Sequence, residues 1–292
     1  MESAMNQTTT APEKKPSVRA VARNLWNLWT PNRTAVVEPT HADVVYRTAA
    51  TRRPLTIAPR CDIYLPEADM AHGRSVVLVH GGGFVIGSKG MKPMRLLSTN
   101  LTAAGYGVCV IDYRMAFRGG RLPEGVSDVV HAMQFWQGRS AEFGFDPDQI
   151  ALVGLSAGAT LSMMAMAQPE TDGLVTRVGS IFGLYDLELL KGALAGTIST
   201  LSVRSRKAEV QRAHSPINSP QTERPVLLMH GGVDALVPVE QARRMNAHRE
   251  SLGLPTELVI YEGQPHGFFC TQTPESEIAT RDLLAFLDKS RG

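Results

Sequence analysis

A serine between two glycines is the first feature of the sequence that could do chemistry. Ser156 stands at the centre of Gly154-Leu-Ser-Ala-Gly158, directly after an apolar run at Ile150–Val153 and directly before a helical pattern. This G-x-S-x-G pattern between a strand and a helix is typical of a nucleophile elbow, a strained turn that exposes the serine oxygen. The sequence therefore predicts Ser156 as a nucleophile. The competing interpretation is a tight turn that uses these small residues without catalysis.

Three consecutive glycines follow another apolar run. The segment His80-Gly-Gly-Gly-Phe84 comes directly after Ser75–Val79. Glycines let backbone amides approach a ligand oxygen, and such amides form an oxyanion hole together with the amide that follows the nucleophile. The expected donors are the amides of Gly82, Gly83 and Ala157. His80 is expected to fix the loop by a hydrogen bond. A phosphate-binding loop is disfavoured because its G-x-x-x-x-G-K-[ST] pattern is absent. A flexible linker without a catalytic role is the remaining alternative.

A serine hydroxyl is a poor nucleophile at neutral pH and needs a general base. Of the eight histidines, His266 has the position that a base requires, because it follows the last predicted strand, Glu257–Tyr261. The carboxyl ends of parallel strands meet at one edge of a sheet, so His266 and Ser156 are expected on the same side. His230 also follows a predicted strand, but it begins a Gly-Gly turn, which indicates a structural loop residue.

The base needs a carboxylate that holds its tautomer and stabilises its charged form. Asp234 follows the predicted strand Val226–Met229 and meets the requirement for a loop residue at the same edge. Asp186 and Glu262 also follow predicted strands and are the less favoured alternatives. The sequence thus predicts a triad of Ser156, His266 and Asp234.

Apolar, β-rich runs alternate with helical patterns beyond residue 40. The predicted strands are Asp43–Arg47, Cys61–Leu65, Ser75–Val79, Gly107–Ile111, Ile150–Val153, Val178–Phe182, Val226–Met229 and Glu257–Tyr261. The predicted helices are Met94–Ala104, Glu124–Gln137, Ala157–Ala167, Val239–Leu252 and Glu277–Lys289. Such alternation predicts an α/β fold with a mostly parallel, doubly wound sheet of about eight strands and right-handed crossovers.

Three segments stand apart from this alternation. Residues 1–16 are polar and predict a disordered tail, whereas residues 17–40 carry an amphipathic helical pattern with Trp26 and Trp29. That pattern favours packing of the helix against the protein's own body, of which a lid is one version, over a dimer contact or a membrane-surface anchor. The catalytic domain is expected at 41–292, with a small helical cap inserted at about 187–215, because the connection there exceeds a normal loop. The expected substrate contacts are Phe84, Leu155, Tyr185, Trp26 and Trp29.

Composition narrows the function further. The 43% hydrophobic and 20% charged residues are ordinary values for a globular protein, and the net charge of +2 gives no reason to expect a nucleic-acid partner. Three cysteines cannot form a paired disulfide framework, and their spacing suits no metal site. Neither a secretory signal pattern nor a membrane-spanning apolar run is evident, so we expect a cytoplasmic protein, with a homodimer left open.

Four segments together resemble the hormone-sensitive-lipase-like and feruloyl-esterase-like carboxylesterases of the α/β-hydrolase superfamily. They are His80-Gly-Gly-Gly-Phe84, Asp112-Tyr-Arg114, Gly154-Leu-Ser-Ala-Gly158 and His266-Gly-Phe268, and the resemblance covers roughly residues 60–290. It implies an α/β-hydrolase fold and a serine esterase for small-molecule esters with short-to-medium acyl groups, without metal or organic cofactor. The order Ser156, Asp234, His266 is the one typical of the superfamily.

Two features depart from the family pattern and leave the substrate open. The stretch after Asp112-Tyr-Arg114 reads Met-Ala-Phe-Arg-Gly-Gly-Arg-Leu-Pro-Glu124 in place of the usual Leu-Ala-Pro-Glu continuation. Leu155 stands where the lipase-like branch usually has Asp and arylformamidase-like relatives often have His. Ester and amide cleavage use the same groups, so an amide or formamide hydrolase, including a peptidase-like enzyme, is an alternative. A ligand receptor without catalytic activity is a second alternative, disfavoured because such proteins usually lose a triad member.

Overall fold

The computed structural model describes residues 35–48, 58–190, 193–270 and 272–289. Within these ranges one sheet contains eight strands. They are β1 (His41–Val45), β2 (Arg60–Tyr64), β3 (Ser75–Val79), β4 (Gly107–Ile111), β5 (Ile150–Leu155), β6 (Val178–Ile181), β7 (Val226–Gly231) and β8 (Thr256–Tyr261). The structure therefore confirms the α/β fold with a mostly parallel sheet that the sequence predicts.

The order of the strands creates a crevice at the middle of the sheet. The order is β1-β2-β4-β3-β5-β6-β7-β8, with β2 antiparallel to both of its neighbours and all other pairs parallel. The chain therefore moves outward from β3 to β4 and returns to the other side of β3 to form β5. In doubly wound sheets, ligands bind at such a switch point, outside the carboxyl ends of the strands. The glycine loop follows β3 and Ser156 follows β5.

Helices cover both faces of the sheet. Those in the described ranges are α1 (Lys92–Ala103), α2 (Leu122–Gly138), α3 (Ser140–Phe143), α4 (Ala157–Met166), α5 (Ala193–Val203), α6 (Ala208–Ala213), α7 (Glu240–Ser251) and α8 (Pro274–Asp288). Short 3-10 turns lie at Pro169–Thr171, Leu187–Leu189, Pro216–Asn218 and Phe268–Cys270.

The alternation of side chains along β3 explains why the central strands are mostly apolar. Val77 and Val79 join a core cluster with α2, α4 and α7, whereas Val76 and Leu78 join the cluster with α1 and α8 on the opposite face. Strands of a parallel sheet that is covered on both sides form nearly continuous apolar runs. All five residues of β3 are buried.

The eight predicted strands each overlap a strand of the structure, but two boundaries matter for the site. β5 extends to Leu155 and β7 to Gly231, so both continue beyond the predicted ends at Val153 and Met229. The interpretation of His230 as a loop residue is therefore wrong, because His230 pairs with Ile260 inside the sheet. Glycine beside histidine resembled a turn in sequence, yet the ladder of hydrogen bonds continues through both residues.

The segment of the predicted cap holds a 3-10 turn and the two helices α5 and α6. The predicted tail at 1–16 and the segment with Trp26 and Trp29 lie outside the described residues. Of the region 17–40, the structure describes only residues 35–40, which contain no helix or strand.

Candidate active site

Ser156 lies in a tight turn between β5 and α4. Its backbone has a φ of 53° and a ψ of −118°, a combination that side chains other than glycine rarely adopt. The turn also brings Gly154 against the start of α4, where a Cβ on Gly154 would lie 2.3 Å from the carbonyl oxygen of Gly158. Close backbone contact thus requires glycine here, and the turn holds Ser156 at the carboxyl edge of the sheet.

The glycine loop after β3 passes directly beside the serine. A Cβ on Gly81 would lie 3.2 Å from the Cβ of Ser156, and Gly82 has a φ of 119°. Gly82 and Gly83 line the same cavity as Ser156. Within the described ranges, no acceptor is hydrogen-bonded to the amides of Gly82, Gly83 or Ala157. These amides are therefore available as donors to an oxyanion.

A hydrogen bond from His80 fixes the position of the glycine loop. Its Nδ1 lies 2.6 Å from the carbonyl oxygen of Gly81 and must carry a hydrogen, because that oxygen only accepts. The carbonyl and amide of one trans peptide point in opposite directions, so this bond turns the amide of Gly82 away from His80. The buried ring stacks on Tyr113, with centroids 4.4 Å apart. Burial lowers the pKa of His80, although Asp112 raises it from 3.5 Å away.

Ser156, His266 and Asp234 form one hydrogen-bonded chain. His266 Nε2 lies 3.1 Å from Ser156 Oγ, and His266 Nδ1 lies 2.6 Å from Asp234 Oδ2. An ionised carboxylate only accepts, so Nδ1 carries a hydrogen and the neutral ring leaves Nε2 to accept from the serine hydroxyl. The three predicted residues are thus brought together from loops after three different strands, with the geometry of a nucleophile, a base and an orienting acid.

The carboxylate of Asp234 is held at both oxygens. Oδ1 accepts from the amides of Leu236 and Val237 at 2.9 and 2.8 Å, and Oδ2 contacts His266 and also His230 Nε2, at 3.3 Å. Burial opposes ionisation of this side chain, but the two histidines, through charge and hydrogen bonds, hold the pKa of Asp234 well below its ordinary value. Asp234 is therefore a fixed anion.

The two alternative acids are engaged elsewhere or point to solvent. Asp186 Oδ2 pairs with Arg244 at 2.9 Å, and Oδ1 accepts from the amide of Glu188 at 3.0 Å. Glu262 is exposed. Neither carboxylate replaces Asp234 beside the imidazole.

Phe182 limits the movement of His266. The two ring centroids lie 4.6 Å apart, with the planes tilted by 58°. The backbone of Phe182 has a φ of 40° and its amide donates to the carbonyl oxygen of Met229 at 2.7 Å. This contact packs an apolar ring against the imidazole and leaves its two nitrogens to Ser156 and Asp234.

An apolar cavity of about 270 Å³ opens in front of Ser156. Besides the glycine loop, Ser156, His266 and Gly267, it is lined by Val85, Ile86, Met91, Pro93, Leu155, Phe182, Leu184, Leu190, Thr197, Ile198, Leu201, Leu236 and Val237. No charged side chain occurs among these lining residues of the described chain. The cavity therefore suits an uncharged, apolar group attached to the carbon that the serine would attack.

Helix α5 forms one wall of the cavity. Thr197, Ile198 and Leu201 are lining residues, and a Cβ on Gly83 would lie 3.4 Å from Ile198 Cδ1. Arg121 donates from Nη1 to the carbonyl oxygen of Leu201 at 2.6 Å. That bond ties the last turn of α5 to the beginning of α2, and the Arg121 cation complements the dipole at the carboxyl end of α5.

The structure places some of the substrate contacts expected from sequence at the cavity and others away from it. Leu155 lines the cavity, whereas Phe84 and Tyr185 do not. Phe84 lies in the core with only 1% of its surface exposed, and Tyr185 is fully buried with its hydroxyl 2.7 Å from Ser180 Oγ. Both expectations were wrong about the cavity because adjacency to a loop residue says little about which way a side chain points. Trp26 and Trp29 lie outside the described residues.

Sequence reasoning missed two contributions to the site. One is the wall formed by Ile198 and Leu201, which no local pattern assigns to the cavity. The other is the contact of His230 with Asp234. The only sequence signal for it is the position of His230 at the end of an apolar run, four residues before the acid.

The described residues contain neither a candidate metal site nor a membrane-spanning helix. No group of three or more His, Cys, Asp or Glu side chains there could hold a metal ion. No helix in those ranges is long and apolar enough to cross a membrane.

Solved structures place this arrangement in a known fold. The chain is similar to esterase 2 of Thermogutta terrifontis phosphonylated by sarin, with a TM-score of 0.71 and 22% identity over 85% of this chain and 94% of that one. A truncated carbohydrate esterase from gut microbiota has a TM-score of 0.73 and 20% identity, over 89% and 99% of the two chains. The fold is therefore that of the α/β-hydrolases.

The family follows from the sequence comparison. The BD-FAE family model matches residues 61–248, and the chain belongs to this family. It is 27% identical over 244 residues to the isoprenylcysteine alpha-carbonyl methylesterase ICME of Arabidopsis thaliana, covering 74% of this chain and 55% of the relative. It is 34% identical over 191 residues to esterase LipC of Mycobacterium tuberculosis, covering 58% and 46%. The chain spans about half the length of these curated relatives.

Proposed function

We propose that the protein is a serine carboxylesterase that hydrolyses small esters with short-to-medium acyl groups. The observation that carries this proposal is the hydrogen-bonded chain from Ser156 through His266 to Asp234, at the base of an apolar cavity. The names of the relatives, esterases and a methylesterase, support the same class of reaction.

In the first half of the reaction, Ser156 Oγ attacks the ester carbonyl carbon while His266 Nε2 takes the serine proton. The negative charge that develops on the carbonyl oxygen is stabilised by the amides of Gly82, Gly83 and Ala157. Asp234 stabilises the imidazolium without taking its proton. The ester carbon–oxygen bond then breaks, His266 gives its proton to the leaving alcohol, and an acyl-enzyme remains.

The second half releases the acid. A water molecule attacks the acyl-enzyme while His266 Nε2 accepts one of its protons, and the same amides stabilise the second oxyanion. Collapse of this intermediate breaks the bond to Ser156 Oγ, which recovers its proton from His266. Water is the only co-reactant, and the site returns to its starting state.

The cavity supports an apolar group rather than a sugar as the main bound part of the substrate. Its volume of about 270 Å³ lies at the small end of ligand sites. Thr197 is the one polar side chain in its lining besides Ser156 and His266, within the ranges described. A sugar would bring several hydroxyl groups out of water without partners, and each such group costs about 1 to 3 kcal/mol.

Labelling with a fluorophosphonate probe tests the role of Ser156. We expect the wild-type protein to be labelled, and Ser156→Ala to be unlabelled and inactive on p-nitrophenyl butyrate. A folded wild-type protein that resists the probe would contradict the proposal and favour a ligand receptor on the same scaffold.

A matched butyrate ester and butyranilide separate the two enzymatic interpretations. We expect the ester to be turned over and the anilide to react far more slowly, because resonance stabilises an amide carbonyl more than an ester carbonyl and an amine leaves less readily than an alcohol from the same site. Faster anilide cleavage would instead indicate an amidase.

We also propose that the protein acts in the cytoplasm, where Cys61 and Cys109, both buried and free, would stay reduced. Fractionation of cells followed by immunodetection tests this location. A homodimer would be detected by light scattering of the full chain.

A further inference from the structure

His230 occupies a position that the mechanism above does not use. Its side chain is completely buried near the end of β7, and its Nε2 lies 2.9 Å from the carbonyl oxygen of Val237 and 3.3 Å from Asp234 Oδ2. Both neighbours are acceptors when Asp234 is ionised, so Nε2 carries a hydrogen in every protonation state of the ring. One N–H group is thus shared between a carbonyl and the carboxylate.

The other ring nitrogen has no such contact. His230 Nδ1 is buried and has no hydrogen-bond partner among the described residues. A buried polar atom without a partner costs stability. Leucine or methionine would fill an apolar strand end without that cost, so packing alone does not account for a histidine here.

The carboxylate that His230 contacts is the one beside His266. Asp234 Oδ2 accepts from His266 Nδ1 at 2.6 Å and lies 3.3 Å from His230 Nε2. The loop that presents Asp234 is also fixed by His230, since Val237 donates its amide to Asp234 Oδ1 and receives the His230 hydrogen at its carbonyl oxygen. The histidine therefore touches both the acid and the turn that carries it.

We propose that His230 is a positioning residue for the proposed esterase, and that it orients Asp234 and shares its negative charge with His266. This inference rests on the proposed function. His230 does not touch substrate or the reacting atoms, and it acts only through Asp234.

The contact between His230 and Asp234 predicts the direction in which the pH profile of the reaction shifts when the contact is lost. When His230 donates to Asp234, the carboxylate attracts the proton of His266 less strongly. Loss of this donor leaves more negative charge facing His266, so its protonated, inactive form persists to higher pH. The acid limb of the kcat/KM profile then moves upward in pH, and kcat falls because Asp234 and its turn lose a fixed position.

Few titratable or charged side chains of the described structure lie near the Asp234 carboxylate. Two titratable side chains of the described structure face the Asp234 carboxylate, His266 from the loop after β8 and His230 from β7. Glu262, from the end of β8, lies beside Gly232, where a Cβ would be 2.8 Å from its Oε2, and its side chain is exposed. Phe182, from the end of β6, contributes an uncharged ring.

A pair of amide substitutions gives the sharpest test. The amide nitrogen of His230→Gln can take the place of Nε2, whereas that of His230→Asn reaches only the place of Nδ1. The two variants bury the same functional group and differ in reach. His230→Leu adds a variant without any donor, and Ser156→Ala serves as the inactive reference on the same ester.

We expect His230→Gln to keep nearly the wild-type kcat. His230→Asn and His230→Leu should lose about 10- to 100-fold in kcat, as for one hydrogen bond to a charged group. Their KM should stay unchanged, and the acid limb of their kcat/KM profile should move to higher pH. If His230→Gln and His230→Asn both keep the wild-type kcat and the wild-type acid limb of the kcat/KM profile, His230 has no positioning role. The same conclusion holds if His230→Asn raises KM and changes nothing else. Full activity of Ser156→Ala would instead overturn the proposed function itself.

Discussion

Gly158 and Val79 touch where α4 crosses the end of β3. A Cβ on Gly158 would lie 2.1 Å from the carbonyl oxygen of Val79 and 2.5 Å from that of His80. The helix that follows Ser156 is therefore seated directly on the strand that leads into the glycine loop. This contact fixes the nucleophile and the oxyanion donors relative to each other.

Gly158→Ala should separate these two elements. Because backbone atoms cannot yield to a Cβ as a flexible side chain does, we expect a loss of about 2 kcal/mol or more in the free energy of unfolding. Ester hydrolysis should fall even where the variant remains folded. Urea unfolding followed by tryptophan fluorescence measures the first effect, and turnover of p-nitrophenyl butyrate the second.

Gly138→Ala is the matched control. Gly138 is an exposed residue at the end of α2, and a Cβ there would meet nothing within 4 Å. Alanine is the better helix former by about 1 kcal/mol, so this variant should be as stable as wild type or more stable. Equal stability of the two variants would contradict the contact between Gly158 and β3.

The sequence could predict the candidate triad because each member follows a strand at the same edge of a parallel sheet. Ser156 has its glycine pattern, and His266 and Asp234 have their places after β8 and β7. Parallel topology alone then brings the three loops together. The sheet could be predicted for a similar reason, since strands buried on both faces leave unbroken apolar runs.

The contacts that depend on side-chain direction could not be predicted in this way. Phe84 and Tyr185 stand next to loop residues of the site, yet both point into the core. Ile198 reaches the cavity from a helix whose placement depends on tertiary packing. The sequence predicts His230 as a turn residue, but the structure makes it a partner of Asp234, because β7 continues for two residues beyond its apolar run.

Asp234→Asn tests the acid of the triad. An amide can donate to His266 Nδ1, which favours the tautomer that cannot accept the serine proton at Nε2. We therefore expect kcat to fall by about four orders of magnitude, with a small change in KM. Asp186→Asn is the control, since Asp186 also follows a strand but pairs with Arg244, and it should keep most of the activity. The assignment fails if the two variants lose activity equally.

The low pKa of Asp234 also predicts how its contribution to stability depends on pH. The ionised group is stabilised by the two histidines against the cost of burial, so its folded-state pKa lies below the unfolded value near 3.8. The contribution is present in full above that unfolded value and is lost as the pH falls below it, because the unfolded chain then binds the proton more readily. The stability difference between wild type and Asp234→Asn should accordingly shrink below about pH 4, measured by urea unfolding at a series of pH values. A difference that stays constant down to the acid transition would contradict this linkage.

Ile198 and Leu201 should limit the length of the acyl group. Truncating either to alanine removes a methylene-rich side chain from the cavity wall, so longer chains gain room while short chains lose contacts. We expect the ratio of kcat/KM for p-nitrophenyl octanoate over butyrate to rise about tenfold. Thr200→Ala on the same helix is the control, because Thr200 bonds the carbonyl oxygen of Gly196 and does not line the cavity. An unchanged ratio in both cavity variants would mean that the acyl group lies elsewhere.

Arg249 stabilises the edge of the domain without a carboxylate partner in the described part of the chain. The guanidinium is fully buried on α7 and donates from Nε to Thr256 Oγ1 at 2.9 Å and from Nη2 to the carbonyl oxygen of Arg224 at 2.9 Å. Burial lowers its pKa to about 10. Longer bonds reach Gln221 Oε1 and the carbonyl oxygens of Thr222 and Pro255.

Arg249→Lys should therefore be destabilising although it keeps the charge. The single ammonium of lysine cannot reach acceptors arranged around a planar guanidinium, so several buried oxygens lose their donors. We expect the free energy of unfolding to fall by about 2 to 4 kcal/mol. Arg243→Lys, on the exposed side of the same helix, should change it by less than about 0.5 kcal/mol. Urea unfolding of both variants decides the matter, and a loss for Arg249→Lys no larger than that for Arg243→Lys would show that the buried bonds contribute nothing.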